Sequence, residues 1–417
     1  MTGHVHVIGA GLAGLSAALR LAEHGVAVTL HEATALAGGR CRSFHDAKLD
    51  CIIDNGNHLL MSGNHAALRF VRAIGAQDRL AGPPGANFPF IDRTTGERWT
   101  LSLNKGPLPF WLFDARRRVP NTRLRDYLSG LRLLMPNAKA TIAECFNTDS
   151  TLFRRFWEPL AIAAINMPAT EAAARLLRPV LLETFARGAS ACRPLIARHS
   201  LADTLIDPAL ARLAALQVEI RFTDRLHRLN EADGRIARLE FASGTRALSP
   251  HDAVILAVPP SAAKSLLPDL TVPPDGEPIV NVHYRLAAAR HTPEVGLVGI
   301  IGGFAHWVFI RGDLASVTIS AGRAEAALSA EDIAARAWAD VSAALDLGEM
   351  AMPPYRIIKE RRATFTQSPE ALSQRPPTRT RLSNLFLAGD WTATGLPATI
   401  ESAIRSGETA ARAVRKN

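Results

Sequence analysis

Short apolar runs bounded by glycine or proline recur along this chain and predict buried strands. Runs of four to eight aliphatic residues between turn signals are typical of parallel strands covered on both faces. Two further strand patterns lie in the second half of the chain. The chain therefore predicts an α/β fold. The runs span residues 5–8, 26–30, 218–222 and 253–260, together with one that ends at Gly389, and the two later patterns span 278–284 and 315–320.

Segments with helical periodicity lie between these strands. Residues 15–21 and 66–74 predict helices, and a helix-forming run begins near Pro397. Residues 329–345 predict another helix, with Ser329 and Asp332 as its capping pair. The region from about 83 to 194 is expected to be largely helical, apart from short strands between 88 and 103.

The clearest motif follows the first predicted strand. Glycines at positions 9, 11 and 14 have the Gly-x-Gly-x-x-Gly spacing and open the helix-forming run. In such a turn the backbone approaches a pyrophosphate closely, and the helix N-terminus supplies N–H groups and a positive dipole. Glu32 ends the second strand 18 residues beyond Gly14, close to where a ribose-binding carboxylate is expected. The predicted dinucleotide-binding residues are Gly9, Gly11, Leu12, Ala13, Gly14 and Glu32.

A second strand-then-glycine signal lies near the end of the chain. The strand that ends at Gly389 precedes Asp390, and the next helix would direct its N-terminus at the same ligand. A nicotinamide dehydrogenase needs only the first signal, whereas an enzyme that keeps a large flavin bound has a use for both. We therefore expect tightly bound FAD, with Asp390 on its ribityl–phosphate side. Thr399 and Ile400 are expected to present backbone N–H groups to the flavin ring.

Two segments between these signals are expected to line the cofactor crevice. Residues 38–40 form a Gly-Gly-Arg loop, in which Gly39 and the Arg40 guanidinium would meet the negative charge of a pyrophosphate. An isolated loop of this kind is more often a glycine turn with a solvated arginine. Residues 54–58, which include Asn57 and His58, are expected to re-enter the same crevice.

These motifs carry a family resemblance. Residues 9–14, Glu32, 38–40 and 387–390 resemble the flavoproteins that include amine oxidases and phytoene-type desaturases. The chain more narrowly resembles the bacterial hydroxysqualene dehydroxylases, also called squalene-associated FAD-dependent desaturases, and it does so essentially from end to end. The segments that carry the narrower resemblance are 54–62, 156–160 and 388–407.

The resemblance and the strand pattern together imply two interleaved domains. A Rossmann-like FAD-binding domain would be built from the discontinuous segments 1–80, 195–265 and 381–417. An α+β substrate-binding domain would take 81–194 and 266–380. A chain of 417 residues exceeds one ordinary core, which agrees with two domains. The resemblance also places the backbone of Leu226 at the adenine end of FAD, although this residue is alternatively an ordinary core leucine.

The resemblance implies reductive removal of an allylic hydroxyl in bacterial squalene and hopanoid biosynthesis. Hydroxysqualene and reduced flavin would give squalene, water and oxidised flavin. The site must hold an isoprenoid chain, exclude water and protonate the departing oxygen. The candidate proton donors are His58, Glu158 and Glu401. Alternatively, His58 holds the flavin, Glu158 caps a helix, and Glu401 sits at a helix start for its dipole.

Other functions stay open at this point. A carotenoid desaturase would move hydride from substrate to flavin in a similar cavity, and a flavin amine oxidase would oxidise an amine. A flavin-binding scaffold without turnover is the alternative of a different class, and the Gly389-Asp390 and Thr399-Ile400 elements argue against it. All four cysteines lie at or before Cys192, so a thioether-linked flavin in the C-terminal half is excluded. The sequence shows no second nucleotide motif, so the electron donor is unknown.

Composition limits the classes of binding partner that the protein could have. The net charge of +9 suits either nucleic acid or an anionic membrane. No zinc spacing, RNP motif or basic-aromatic ribbon supports nucleic acid. The cysteines have no metal-ligand spacing, so we expect reduced thiols and no metal. We find no signal peptide and no apolar stretch of 18 residues, and we expect a cytoplasmic protein or one peripheral on the inner membrane face.

One segment suggests how a water-insoluble substrate arrives. Between Pro107 and Met135, aromatic and leucine residues alternate with arginines. This composition predicts a membrane contact, or alternatively a substrate-domain helix with its apolar side in the core and its arginines solvated. The apolar residues assigned to the surface are Pro109, Phe110, Trp111, Leu112, Phe113, Tyr127, Leu128, Leu131, Leu133, Leu134 and Met135. The arginines are Arg116, Arg117, Arg118, Arg123, Arg125 and Arg132.

Overall fold

The protein is described by a computed structural model that covers residues 3–287 and 295–417. Its strands are β1 (Val5–Ile8), β2 (Val28–His31), β3 (Ser43–Asp46), β4 (Cys51–Asp54), β5 (Leu60–Met61), β6 (Leu80–Ala81), β7 (Asn87–Asp92), β8 (Arg98–Ser102), β9 (Pro194–Ala197), β10 (Glu219–Arg221), β11 (Leu226–Ala232), β12 (Arg235–Phe241), β13 (Gly244–Ala247), β14 (Ala253–Leu256), β15 (Ile279–Arg285), β16 (Val295–Ile301), β17 (Trp307–Arg311), β18 (Leu314–Ile319), β19 (Tyr355–Glu360) and β20 (Leu385–Leu387).

The α-helices are α1 (Leu12–Ala22), α2 (His65–Ala73), α3 (Glu158–Ile165), α4 (Ala174–Glu183), α5 (Ala189–Cys192), α6 (Asp207–Ala215), α7 (Pro260–Leu266), α8 (Arg323–Ala327), α9 (Ala330–Leu345), α10 (Pro369–Leu372) and α11 (Ile400–Arg415). Within residues 3–287 and 295–417, no helix is both long and apolar enough to cross a bilayer.

A five-stranded parallel sheet in the order β10-β2-β1-β14-β20 forms the centre of one half of the molecule. Its strands come from distant parts of the chain, and β1, β2, β14 and β20 are buried throughout. The chain leaves β1 toward β2 on one side, while β14 lies on the other. The carboxyl end of β1 is therefore a switch point of the kind where open α/β sheets bind ligands. The predicted Rossmann-like α/β class is confirmed.

The first and last helices pack directly on each other beside this sheet. The Ser16 hydroxyl in α1 donates a hydrogen bond to the Ile404 carbonyl in α11 at 3.1 Å. A Cβ atom on Gly407 would lie 2.1 Å from the carbonyl oxygen of Ala13. Only glycine at 407 permits this approach, which brings the two ends of the chain together.

A seven-stranded sheet in the order β19-β15-β18-β17-β16-β7-β8 forms the second half. It combines strands from before and after the central part of the chain, and β16 pairs with β7 in parallel across that separation. Helix α9 packs on this sheet through Ile333, Ala337 and Val341. The Ser329 hydroxyl accepts a hydrogen bond from the Asp332 N–H, as predicted for the start of this helix. The exact domain boundaries given above stay a prediction.

Two local predictions need correction. The last helix begins at Ile400 and not near Pro397, because the Thr399 hydroxyl accepts from the Ser402 N–H and so makes Thr399 the N-cap. Much of the region expected to be helical between about 103 and 150 consists of turns and 3₁₀ helices, such as Phe110–Phe113 and the longer Leu124–Leu134. Prolines at positions 107, 109, 120 and 136 interrupt longer helices there.

Candidate active site

The glycine turn after β1 is shaped by close backbone packing. Gly9 has a φ of +104°, and a Cβ atom there would lie 2.5 Å from the Ala257 carbonyl oxygen. A Cβ atom on Gly14 would lie 1.8 Å from the carbonyl oxygen of Gly9. Glycine is therefore required at both positions for α1 to start immediately behind the strand.

In contrast, the middle of the turn faces open space. A Cβ atom on Gly11 would meet no atom within 4 Å. Gly11 is the N-cap of α1, no side chain caps this terminus, and no acidic residue lies in the first turn. The first N–H groups of a helix lack intrahelical acceptors, and here Leu12 and Ala13 carry two of them. The turn therefore offers N–H groups and a positive dipole to an anion.

Glu32 lies beside this turn. One of its carboxylate oxygens accepts a hydrogen bond from the Ala10 N–H at 2.9 Å, and the other accepts from the Thr34 N–H and hydroxyl. The side chain is half-buried at the end of β2. It is thus held near the glycine turn, next to the space in front of Gly11.

The Gly-Gly-Arg loop joins the glycine turn to the C-terminal motif. The Gly38 N–H donates to the Ala10 carbonyl at 2.8 Å, and a Cβ atom on Gly39 would lie 3.6 Å from the Gly11 Cα atom. From this loop the Arg40 guanidinium donates to the buried Asp390 carboxylate at 2.7 Å. Three motifs that are far apart in the sequence therefore share one crevice.

Arg375, which was not among the predicted site residues, holds the C-terminal loop in place. Its guanidinium donates to the carbonyl oxygens of Asp390, Thr392 and Leu396 and to the Thr394 hydroxyl, at 2.7–2.9 Å. Burial lowers the pKa of Arg375 to about 10, so the group stays charged at neutral pH. No local motif marks this residue, because its partners come from a loop that only the fold brings around it.

The start of α11 lies behind Asp390. The Ser402 hydroxyl, in the first turn of this helix, donates to the Asp390 carbonyl. The Gln367 side chain accepts from the Ala398 N–H at 2.8 Å and so fixes the approach to the helix. The roles predicted for the N–H groups of Thr399 and Ile400 stay predictions.

Residues 54–58 lie beside the end of the Gly-Gly-Arg loop, where the Asn55 N–H donates to the Arg42 carbonyl at 3.0 Å, and their place in the cofactor crevice stays a prediction. Asp54 is buried and forms an ion pair with the buried Arg311. Asn57 donates to the Thr318 hydroxyl at 3.0 Å, and the His58 Nε2 atom lies 3.9 Å from the Cys41 sulfur. Burial lowers the pKa of His58 to about 4, so this imidazole is neutral at pH 7.

A small cavity opens next to these residues. The Nη2 atom of Arg311 is buried, and the described residues offer it no hydrogen-bond partner. Sequence analysis did not select Arg311, which comes from a strand of the other sheet. The residues that line the cavity are Asp54, Asn57, His58, Ile196, Ala197, Leu201, Phe309 and Arg311.

The other two candidate proton donors differ sharply. Glu401 is buried, and its carboxylate accepts from the N–H groups of Ala66 and Ala67 at the start of α2 and from Arg405. Through these contacts Glu401 caps the N-terminus of the neighbouring helix α2. Glu158, by contrast, is half-buried at the start of α3, and burial raises the pKa of its carboxyl group. A raised pKa favours the protonated form that a proton donor needs.

Leu226 lies at the start of β11, and its side chain is buried in the apolar core. This agrees with the alternative that it is a core leucine, and a backbone contact with adenine stays a prediction.

An aromatic cluster fills the region near Glu158. Phe156 contacts Trp157 and Phe185 edge to face, with ring centroids 4.7 and 5.6 Å apart. Trp157 also stacks on Phe146 at 4.7 Å, and Phe185 stacks on Phe88 at 6.4 Å. The indole N–H of Trp157 is buried and finds no acceptor among the described residues. This cluster was not anticipated, since its members come from separate elements.

Comparisons with known proteins agree with this arrangement. Residues 12–415 match the family model described as flavin-containing amine oxidoreductase. The chain is 46% identical to the hydroxysqualene dehydroxylase of Rhodopseudomonas palustris over 99% of its own length and 98% of that protein. It is 43% identical to the hydroxysqualene dehydroxylase of Zymomonas mobilis over 97% of each.

Solved structures share the fold at low sequence identity. Cyclohexylamine oxidase from Brevibacterium oxydans superposes with a TM-score of 0.72 at 16% identity, covering 100% of this chain and 99% of that one. Putrescine oxidase bound to putrescine superposes with a TM-score of 0.70 at 16% identity, covering 100% of both chains.

Proposed function

The chain belongs to the hydroxysqualene dehydroxylase family of flavin-containing amine oxidoreductases, and we propose that it uses FAD to reduce hydroxysqualene to squalene. One observation carries the proposal: the glycine turn, the Gly-Gly-Arg loop and Asp390 line one crevice. Gly39 lies against Gly11, and Arg40 donates to Asp390. A crevice that combines an uncapped helix N-terminus with a second, C-terminal wall suits a ligand longer than a mononucleotide.

The residues present fit FAD. The open space in front of Gly11 and the free start of α1 suit a pyrophosphate, and Glu32 is placed for the hydroxyls of a ribose. Both features recognise a dinucleotide, so FAD fits better than FMN. Asp390 and the start of α11 would hold the other end. We propose non-covalent binding, and the lack of cysteine after Cys192 excludes a thioether link from the C-terminal half.

When bound and reduced, the flavin supplies the hydride that replaces the hydroxyl, and the overall products are squalene, water and oxidised flavin. The chain's own residues must stabilise positive charge at the reacting carbon and exclude water. The aromatic cluster suits both tasks, since ring faces attract cations and the rings displace solvent. The Trp157 N–H, for which the described residues offer no acceptor, would donate to the substrate oxygen.

Glu158 is our proposed donor of the proton that converts the departing hydroxyl to water. It follows Trp157 directly, and burial raises the pKa of its carboxyl group. His58 suits this task less well, because burial lowers its pKa to about 4 and leaves it neutral. Glu401 is occupied by its cap contacts with α2. The carboxyl of Glu158 would lose its proton to the oxygen and regain it from solvent.

A single-turnover assay tests the proposal. Detergent-dispersed hydroxysqualene is mixed anaerobically with the protein and chemically reduced FAD, and squalene is quantified. One squalene for each reduced flavin is expected, and absence of squalene would overturn the assigned reaction. Acid precipitation of the purified protein should release FAD to the supernatant. Release of FMN would contradict the choice of cofactor, and colour that stays in the pellet would contradict non-covalent binding.

A further inference from the structure

Exposed apolar side chains are concentrated in one surface segment. Eight of the thirteen large hydrophobic residues that are exposed in the described chain lie between positions 108 and 135. Phe113 is 71% exposed and Met135 is 92% exposed. Single exposed apolar residues are normal, but a group of this size marks an interaction site. We call this group the 108–135 patch, and it comprises Leu108, Phe110, Phe113, Leu124, Leu128, Leu131, Leu134 and Met135.

The structure corrects two assignments made from the sequence. Trp111 and Leu133, expected on the surface, are buried in the core. The Trp111 ring meets Tyr127 edge to face at 5.6 Å, and its backbone N–H donates to the Asn104 side chain. These buried residues tether the two 3₁₀ helices to the protein. Leu112 and Tyr127 are half-buried and also pack against this core, whereas the eight residues of the 108–135 patch face outward.

The helix geometry aligns part of the patch. A 3₁₀ helix has three residues per turn, so side chains at positions i and i+3 lie in a row. Leu128, Leu131 and Leu134 have this spacing within the Leu124–Leu134 helix, and all three are exposed. They form an apolar ridge on its outer side.

The segment that carries the patch is strongly basic. Residues 105–139 contain eight Lys and Arg against two Asp, a net charge of +6. Arg116, Arg123, Arg125 and Arg132 are exposed. The ion pairs of the described residues include none of the arginines in this segment. Their charge is therefore free to meet an anionic surface.

The patch lies directly outside the aromatic cluster. Gly130 in the Leu124–Leu134 helix approaches Trp157 so closely that a Cβ atom there would lie 2.8 Å from the indole Cζ2 atom. Leu133 and Trp111 join Trp157 in the same core. A lipid that enters between these helices would therefore reach the cluster in a short distance.

We propose that the 108–135 patch docks the protein on an anionic lipid bilayer, with its apolar side chains at the acyl boundary and its arginines on the headgroups. Exposed apolar residues and exposed arginines in one segment match the two layers of such a surface, namely the acyl boundary and the anionic headgroups. The inference rests on the proposed function in one respect, namely that the substrate is a lipid dissolved in the bilayer. Docking would deliver it to the Trp157 side of the site without passage through water.

Flotation with vesicles tests the docking. Vesicles of equal parts phosphatidylglycerol and phosphatidylcholine should carry wild-type holoprotein upward, and pure phosphatidylcholine or high salt should carry less. The triple variant Phe113→Ser, Leu128→Ser and Met135→Ser should remain at the bottom. The double variant Arg116→Gln and Arg125→Gln should bind anionic vesicles more weakly, by about fivefold for each arginine near the surface.

Matched controls separate this patch from general surface changes. The variants Met350→Ser with Met352→Ser remove exposed apolar residues elsewhere, and Arg72→Gln with Arg212→Gln remove exposed charge elsewhere. Both controls should float like wild type. A triple variant that floats as well as wild type would overturn the proposal. A second outcome would also overturn it: the wild-type protein stays at the bottom and sediments as a dimer, whereas the triple variant sediments as a monomer. The patch would then join two copies of the chain.

Activity in two media distinguishes this inference from the proposed reaction. With hydroxysqualene in detergent micelles, the triple variant should form squalene at the wild-type rate. With substrate in anionic vesicles, its rate should fall in parallel with its flotation. No squalene from wild type in detergent would reject the reaction and leave the flotation result as a separate test of docking. Equal rates in vesicles for wild type and triple variant would contradict delivery through the patch.

Discussion

The Arg40 guanidinium donates a hydrogen bond to the Asp390 carboxylate at 2.7 Å, across 350 positions of sequence. Asp390 is buried, whereas the Arg40 side chain is 41% exposed. The pair joins the loop beside the glycine turn to the motif after the last strand. A carboxylate neutralised in this way can sit beside a phosphate-bearing cofactor without strong repulsion between like charges.

Asp390→Asn should weaken flavin binding more than it weakens the fold. The amide keeps the shape but loses the charge that orders Arg40, and a hydrogen bond to a charged group contributes about 1.5–3 kcal/mol. Titration of the apoprotein with FAD, followed by fluorescence quenching, should show a dissociation constant raised about tenfold to a hundredfold. The melting temperature of the apoprotein is the control, and a fall there with unchanged FAD affinity would assign Asp390 a purely structural role.

The glycines of the first turn should respond differently to a single methyl group. Gly14→Ala places a Cβ atom 1.8 Å from the Gly9 carbonyl, so we expect loss of folded protein. Gly11→Ala meets no atom within 4 Å, so the apoprotein should fold normally. If the open space holds the pyrophosphate, Gly11→Ala should lose FAD. Soluble yield, circular dichroism and flavin content separate the cases, and a Gly11→Ala protein with full flavin content would contradict this position for the pyrophosphate.

Single-turnover rates of three variants should distinguish the candidate proton donors Glu158, Glu401 and His58. Glu158→Gln should slow squalene formation by roughly 10²–10⁴, the usual contribution of a proton donor, with FAD content unchanged. Glu401→Gln should lower stability by about 1–3 kcal/mol, because buried N–H groups at α2 lose an acceptor. His58→Ala should change the rate less than Glu158→Gln. A rate loss confined to His58→Ala would return the proton donor to His58.

Buried histidines should make the fold sensitive to acid. Burial lowers the pKa values of His6, His58 and His283 to about 4, against 6.5 for exposed histidine. Between pH 6.5 and about 4 the unfolded chain binds protons that the folded chain does not. As the pH falls through this window, the free energy of unfolding should therefore decrease, by up to about 1.4 kcal/mol per pH unit for each histidine. Above pH 6.5 these histidines should have no effect on it.

Thermal unfolding from pH 5 to pH 8 measures this effect. His283→Asn should flatten the dependence below pH 6.5, whereas His227→Asn, at an exposed position, should leave it unchanged. A melting temperature that is level from pH 5 to pH 7 would show that the buried histidines do not control acid stability.

Local sequence patterns were sufficient to predict the helices, strands and turns whose characteristic residues lie close together in the chain. The strand Val5–Ile8, the glycine turn and the helix-forming run 15–21, which lies within α1, were predicted from apolar runs, glycine spacing and helix formers within a few residues of one another. Helix α9 and its Ser329 cap were predicted for the same reason. The family resemblance came from such local motifs too, since each is a contiguous segment.

The sequence by itself therefore determined the Rossmann-like elements, the cofactor motifs and the membership of the family. Tertiary structure decided which side chains those motifs meet: Arg375 around the C-terminal loop, Glu401 at the start of a different helix, and Trp111 in the core while Phe113 faces outward. The physical reason is range. Helical and strand periodicity arises from neighbours a few residues apart, whereas burial, pKa and hydrogen-bond partners depend on which distant segments the packing of the whole chain brings together.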